Sequence, residues 1–158
     1  EEFGNKIKFI LDGGRCKIGI ESTIIDLTDN PKILRPGFVT PKKISKILKK
    51  KISINRNINK IKSPGQLKSH YSPGIPIKIN TKILKKSGAI IGFGREFKTK
   101  KNHFNLSKNG NLNEAANNLY TILRKIRNSG FKSIIVNKIP NTGIGIAIND
   151  RLKRASNK

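Results

Sequence analysis

The chain has 158 residues, 35% apolar and 27% charged, and its 34 Lys and Arg against 9 Asp and Glu give a formal charge of +25. That length suits one ordinary domain or two small ones, with roughly two-thirds of the unfolded surface available for burial, and the composition is polar without being that of a disordered chain. A single cysteine, Cys16, excludes an internal disulfide, no Cys/His cluster has zinc spacing, and no apolar run approaches the roughly 18 residues of a membrane span.

Residues 6–11 read as a short strand leading into an Asp12-Gly13-Gly14 turn, and residues 22–27 as a second strand, β-branched at Thr23, Ile24 and Ile25. Residues 32–34 are expected to add a third. Thr40-Pro41 opens a helix with a hydroxyl at the cap, proline in the first turn and apolar Ile44, Ile47 and Leu48 at helical spacing. It runs out in Lys49-Lys50-Lys51, where cations suit a helix C-terminus. Residues 50–73 hold Asn, Ser, Lys and two prolines without a period, the mark of a linker.

Beyond the linker, strands and helices alternate. Residues 75–79 and 89–93 read as strands, and Asn111 with Glu114 makes a capping-box-like helix start. The helix that follows sets Leu112, Ala115, Ala116, Leu119, Leu123 and Ile126 on one face and stops at Gly130. Residues 133–136 have the character of a buried strand, and residues 146–155 form a last helix. This alternation implies parallel pairing through right-handed crossovers, hence a small Rossmann-like α/β domain over residues 74–158.

The charge leaves two readings open. Most basic residues are Lys scattered among Asn and Ile, a compositional pattern, and aromatics do not interleave them as a single-strand binder requires. The other reading is a patch that steers and holds nucleic acid or another polyanion. The longest basic run, from Lys42-Lys43 to Lys49-Lys50-Lys51, suits either.

Several residues are chemically suggestive. Arg35 follows an apolar run and precedes Pro36-Gly37, which places a guanidinium fork at a strand end, fit for bidentate phosphate contact or for closing a turn. Glu21-Ser22-Thr23 puts hydroxyls on an otherwise apolar strand, where they bind a small substrate or serve structure. In Ser63-Pro64-Gly65-Gln66-Leu67-Lys68-Ser69-His70-Tyr71-Ser72-Pro73, rigid turns at Pro64-Gly65 and Ser72-Pro73 bracket His70 and Tyr71, which can hydrogen-bond and stack, or merely pack in a spacer. Gly92-Phe93-Gly94 and Gly143-Ile144-Gly145 hint at phosphate loops but fall short of the dinucleotide pattern, so tight turns and close packing are the expectation. Asn149-Asp150-Arg151 and Glu114 are expected in a buried ion pair or domain contact, and His103 is expected exposed without partners.

Together Glu21-Ser22-Thr23, Ile33-Leu34-Arg35-Pro36-Gly37, the segment from Ser63 to Pro73 and Ala147-Ile148-Asn149-Asp150-Arg151-Leu152 resemble the two-domain threonylcarbamoyladenylate synthases, over about residues 9–155. The resemblance implies an α/β chain in which residues 1–49 end a YrdC-like catalytic domain, 50–73 form an interdomain lid linker, and 74–158 form the Rossmann-like accessory domain. It implies a nucleotidyltransferase that joins L-threonine, bicarbonate and ATP into threonylcarbamoyl-AMP and pyrophosphate for tRNA threonylcarbamoyladenosine modification. Ser22 is then expected on L-threonine, Arg35 and Tyr71 on ATP, and His70, Pro64 and Gly65 in support of the lid. Lid closure would exclude water from a labile mixed anhydride.

Mg2+ is implied by the ATP chemistry, with no ligands to name. The expected partners are the tRNA threonylcarbamoyl transferase machinery and tRNA or double-stranded RNA, in the cytoplasm and away from membranes. Gln66 stands where methionine is common in the family, and Arg15 where proline is frequent. The family's upstream lysine and arginine that grip ATP have no counterpart, so the stretch is expected to be a truncated synthase, inactive by itself. The alternative is a noncatalytic basic module that binds tRNA or a partner of the modification pathway.

Overall fold

A computed structural model describes residues 6–14, 16–55, 61–67, 72–81 and 87–157. Strands β1 (Ile24–Asp26) and β2 (Lys32–Arg35) pair antiparallel, with Ile25 opposite Ile33 and a register irregularity between Ile24 and Ile25. Helix α1 (Pro41–Leu48) follows, its first turn capped by the Thr40 hydroxyl, which accepts the Lys43 N–H at 3.3 Å. Lys49, at φ 50°, ends it in the left-handed conformation. The chain then returns to β3 (Ser53–Ile54), which pairs parallel to β2 and gives a first sheet ordered β1-β2-β3. Ile33, Ile44 and Ile52 form its small core, while Ile47 lies 70% exposed.

Two expectations fail here. Residues 6–11 are not a strand; Phe9, Ile10 and Leu11 are 90%, 76% and 100% exposed, and no described strand pairs with their backbone. A strand needs a partner to satisfy its N–H and C=O groups, so apolar composition alone does not make one. Ser53–Ile54, expected within the linker, pairs with β2, because α1 reverses the chain beside that edge.

The second sheet contains β4 (Ile77–Ile79), β5 (Gly88–Gly92), β6 (His103–Asn105) and β7 (Ser133–Val136), all parallel and ordered β4-β7-β5-β6. Helices α2 (Leu112–Asn128) and α3 (Gly145–Ser156) flank it. Their apolar faces meet the strands in one core where Ala89, Ile91, Leu119, Ile126, Ile134, Val136 and Ile148 are all fully buried. The fold is therefore mixed α/β with a four-stranded parallel sheet.

At the start of α2 the Asn111 side chain accepts the Asn113 and Glu114 N–H groups at 2.8 and 3.1 Å. Glu114 does not close a capping box directly. Ser107 stands between, donating its hydroxyl to Glu114 Oε2 at 2.5 Å and accepting the Asn111 N–H at 2.9 Å. No described helix is long and apolar enough to cross a membrane.

Candidate active site

Arg35 ends β2 only 9% exposed, and its fork is occupied by protein. Nε donates to the Ser22 carbonyl at 3.1 Å, Nη2 to Ser22 Oγ at 3.2 Å, and Nη1 to the Pro64 carbonyl at 3.4 Å. Of the five guanidinium N–H donors, three are engaged among the described residues. The arginine thus ties the strand start at Ser22 to the turn at Pro64-Gly65. Ser22 itself is exposed, and the Thr23 hydroxyl beside it donates to the Val39 carbonyl at 2.7 Å.

Gly37 makes this approach possible. A Cβ there would collide with the backbone of Glu21, Ser22 and Thr23, so the residue after Arg35-Pro36 must lack a side chain. Pro36 and Gly37 are both buried.

The turn at 61–67 is fastened at three points. Lys62 Nζ pairs with Asp26 Oδ2 at 3.0 Å, Pro64 meets Arg35, and Arg154 Nη1 on α3 donates to the Leu67 carbonyl at 3.0 Å. Hydrogen bonds from Thr28, and then from Lys62, hold the Asp26 carboxyl well below the usual carboxylate range. Inside the turn Gln66, 1% exposed, accepts the Lys62 and Ser63 N–H groups through Oε1 at 2.7 and 3.0 Å. Gln66 therefore has a polar task in the turn. His70 and Tyr71 lie outside the described residues.

A second network grips the same elements from behind. Arg151 on α3, 1% exposed, donates to Glu21 Oε2 at 2.8 Å, to Asp150 Oδ2 at 2.7 Å and to the Pro36 carbonyl at 3.0 Å. The Tyr120 hydroxyl on α2 donates to the Glu21 carboxylate at 2.8 Å, and Asn117 donates to the Lys17 carbonyl at 3.2 Å. Ile20 enters the core of the second sheet. Burial pushes the Glu21 pKa up, but the hydrogen bond and charge of Arg151, with Tyr120, outweigh it and leave Glu21 below its ordinary value.

Glu21 precedes Ser22 and Pro36 follows Arg35, so α2 and α3 position both candidate residues through their chain neighbours. The expectation of an ion pair at Asn149-Asp150-Arg151 holds for Asp150 and Arg151. The sequence offers Glu21 only as part of Glu21-Ser22-Thr23, and nothing in it marks Tyr120, 99 residues away, as its partner. Glu114 instead bonds Ser107 within its own domain. His103 is not exposed: it is partly buried on β6 with its ring edge-on to Phe97 at 5.5 Å, while its buried Nδ1 has no hydrogen-bond partner among the described residues.

On the opposite side of β2 a cleft of about 450 Å³ separates Leu34, Pro36 and Ile54 from Asn149 and Lys153 of α3. It includes neither Ser22 nor Arg35, so it is not the site these residues form. Among the described residues no group of His, Cys, Asp and Glu could hold a metal ion.

Known proteins share this arrangement of sequence and fold. Residues 39–157 match the family described as threonylcarbamoyl-AMP synthase, C-terminal domain, and residues 1–37 match one described as telomere recombination. The threonylcarbamoyl-AMP synthase of Pyrococcus abyssi is 30% identical over 178 residues, covering 99% of this chain and 51% of the relative. That of Bacillus subtilis is 30% identical over 175 residues, covering 98% and 50%. The crystal structure of P. abyssi Sua5 complexed with L-threonine matches with a TM-score of 0.80 at 27% identity, over 98% of this chain and 51% of that one. A P. abyssi variant with alanine for a neighbouring histidine and tyrosine matches with a TM-score of 0.74 at 26% identity, over 92% and 47%. The chain thus spans about half the length of the curated relatives it matches. With a parallel-sheet domain that binds the Ser22 and Arg35 elements through Arg151, and a family match over residues 39–157, the chain belongs to the threonylcarbamoyl-AMP synthase C-terminal domain family.

Proposed function

We infer that this chain supplies the closing part of a threonylcarbamoyl-AMP synthase site, with residues 1–49 contributing to the catalytic domain, 50–73 the lid linker and 74–158 the accessory domain. The observation that carries this is the Arg35 fork, which joins Ser22 to the Pro64-Gly65 turn and so holds the candidate substrate residue and the root of the lid in one place. In this reading the Ser22 hydroxyl, accepting from Arg35, keeps its own proton to donate to L-threonine, the ligand named for the P. abyssi structure. The two remaining Arg35 N–H groups face ATP phosphate. Tyr71 contacts the nucleotide and His70 supports the lid; the histidine–tyrosine pair replaced in the P. abyssi variant is the same dipeptide type.

The reaction condenses the threonine amine with bicarbonate, losing water, and the carbamate oxygen then attacks the α-phosphorus. The bond from the α-phosphorus to the bridging oxygen breaks, and pyrophosphate leaves with the electron pair. Positioning and charge neutralisation dominate such a transfer. Mg2+ would accompany ATP and neutralise phosphate charge; among the described residues no group of His, Cys, Asp and Glu could hold it. The product serves tRNA modification in the cytoplasm, with the tRNA threonylcarbamoyl transferase machinery as its consumer.

The test is threonine- and bicarbonate-dependent pyrophosphate release from ATP, run on this chain and on the chain joined to the N-terminal half of the P. abyssi relative. Activity in the joined protein, lost on Arg35→Ala, Ser22→Ala and Tyr71→Ala, is the expected result. A folded joined protein that stays silent but binds RNA in a salt-dependent manner would replace this reading with the basic module.

A further inference from the structure

The second sheet carries a cleft that the synthase reading does not use. It measures about 480 Å³ and is lined by Arg95, Phe97, Lys98, Thr99, Asn105, Lys108 and Asn109. These residues come from the loop after β5 and from the end of β6 and the loop beyond it, which places the cleft at the carboxyl ends of parallel strands. Open α/β sheets take their ligands at that edge.

The lining has one sign of charge. Arg95, Lys98 and Lys108 contribute three cations, no carboxylate lines the cleft, and none of the three is in an ion pair among the described residues. Glu96 lies in the first loop but is exposed and outside the lining, and Glu114 is engaged by Ser107. Arg95, Lys98 and Lys108 are exposed, and gathered around one concave lining they raise the local positive potential more than scattered lysines do.

The walls are also fastened together. The Asn105 amide donates to the Gly94 carbonyl at 2.8 Å and the Phe97 carbonyl at 2.9 Å, and its oxygen accepts the Ser107 N–H at 3.0 Å. The Gly94 N–H meets the Ser107 carbonyl at 2.9 Å. Gly92 admits the Phe97 ring where a Cβ would stand, which draws the first loop down onto the strand. Loops locked in this way hold the backbone of the cleft in place before a ligand arrives, so less backbone entropy is lost on binding.

We propose that this cleft binds the phosphate or pyrophosphate group of a small ligand. Three cations, a Thr hydroxyl and the Asn109 amide suit the several oxygens of such a group, and Phe97 offers an apolar surface to whatever the phosphate carries. The proposal is independent of the synthase site, which is built on the other sheet.

The experiment follows backbone amide shifts of the full chain during titration with inorganic phosphate, pyrophosphate, AMP and ATP. Saturable shifts centred on Gly94, Phe97 and Lys108 are expected, with pyrophosphate or ATP at least tenfold weaker for Arg95→Ala/Lys108→Ala. Lys42→Ala/Lys43→Ala, which removes the same charge from α1, should bind as the wild type does. Tighter binding of ATP than of pyrophosphate identifies a nucleotide as the source, and equal binding identifies the free anion. Shifts absent from these loops, or affinity reduced equally by both double variants, would overturn the proposal, as would a response to an RNA oligonucleotide alone. Should the double variant not fold, Lys98→Ala answers the same question.

Discussion

Arg151 reaches back 130 residues to Glu21, Nε to Oε2 at 2.8 Å, and with the same guanidinium holds the Pro36 carbonyl. One buried cation in the second sheet's domain thus fixes the residues next to both Ser22 and Arg35. Its Asp150 partner, shared with Arg154, completes a network in which one terminal helix holds the first sheet and, through the Leu67 carbonyl, the turn as well.

Removing that cation should be costly. Arg151→Ala leaves half-buried Glu21 with Tyr120 but no countercharge, and the Pro36 carbonyl without this donor, at about 3–5 kcal/mol. Arg151→Lys keeps the charge but not three directed N–H groups, and should recover less than half of the loss. Urea denaturation with both variants, and a double-mutant cycle with Glu21→Gln, measures it; an additive cycle would show that the pair is not coupled.

Acid should loosen the same contact. The folded state holds Glu21 below its ordinary value of 4.5, so the pair's contribution is complete above about that pH and is lost as pH falls through the lower folded value. Asp26, lowered by Thr28 and Lys62, adds to the fall in the same acid range. Urea midpoints at pH 6 and pH 3.5 should therefore differ less for Glu21→Gln than for the wild type. An unchanged difference would remove Glu21 from the account.

Gly37 and Gly13 make a matched pair. Gly37→Ala drives a methyl into the backbone of Glu21, Ser22 and Thr23, and should cost about 1–3 kcal/mol. Gly13→Ala meets nothing within 4 Å and should stay within about 0.5 kcal/mol. Thermal melts of the two variants give the comparison.

Gln66→Met removes the acceptor for two backbone N–H groups. With Ser63 buried, a loss of about 1–3 kcal/mol is expected, read by the same denaturation. A variant as stable as the wild type would mean that water satisfies both donors.

Much of the architecture was written in local pattern. Apolar runs at residues 89–93 and 133–136, alternating with an amphipathic stretch capped by Asn111, were enough to call for a parallel α/β sheet, because periodicity reports which face each element buries. His103–Asn105 escaped notice since it has neither an apolar run nor alternation, and is a strand because β5 offers it an edge. Residues 6–11 had the composition of a strand and no edge to join.

The site divides in the same way. Leu34-Arg35-Pro36-Gly37 and Ser63-Pro64-Gly65 stood out because proline and glycine at fixed offsets constrain the backbone by themselves. That the Arg35 fork closes on Ser22 and Pro64, 13 and 29 residues away, and that Glu21 receives Arg151 and Tyr120, are outcomes of tertiary packing. Hydrogen bonds and ion pairs act over a few ångströms of space whatever the distance along the chain, so sequence named the groups and the fold chose their partners.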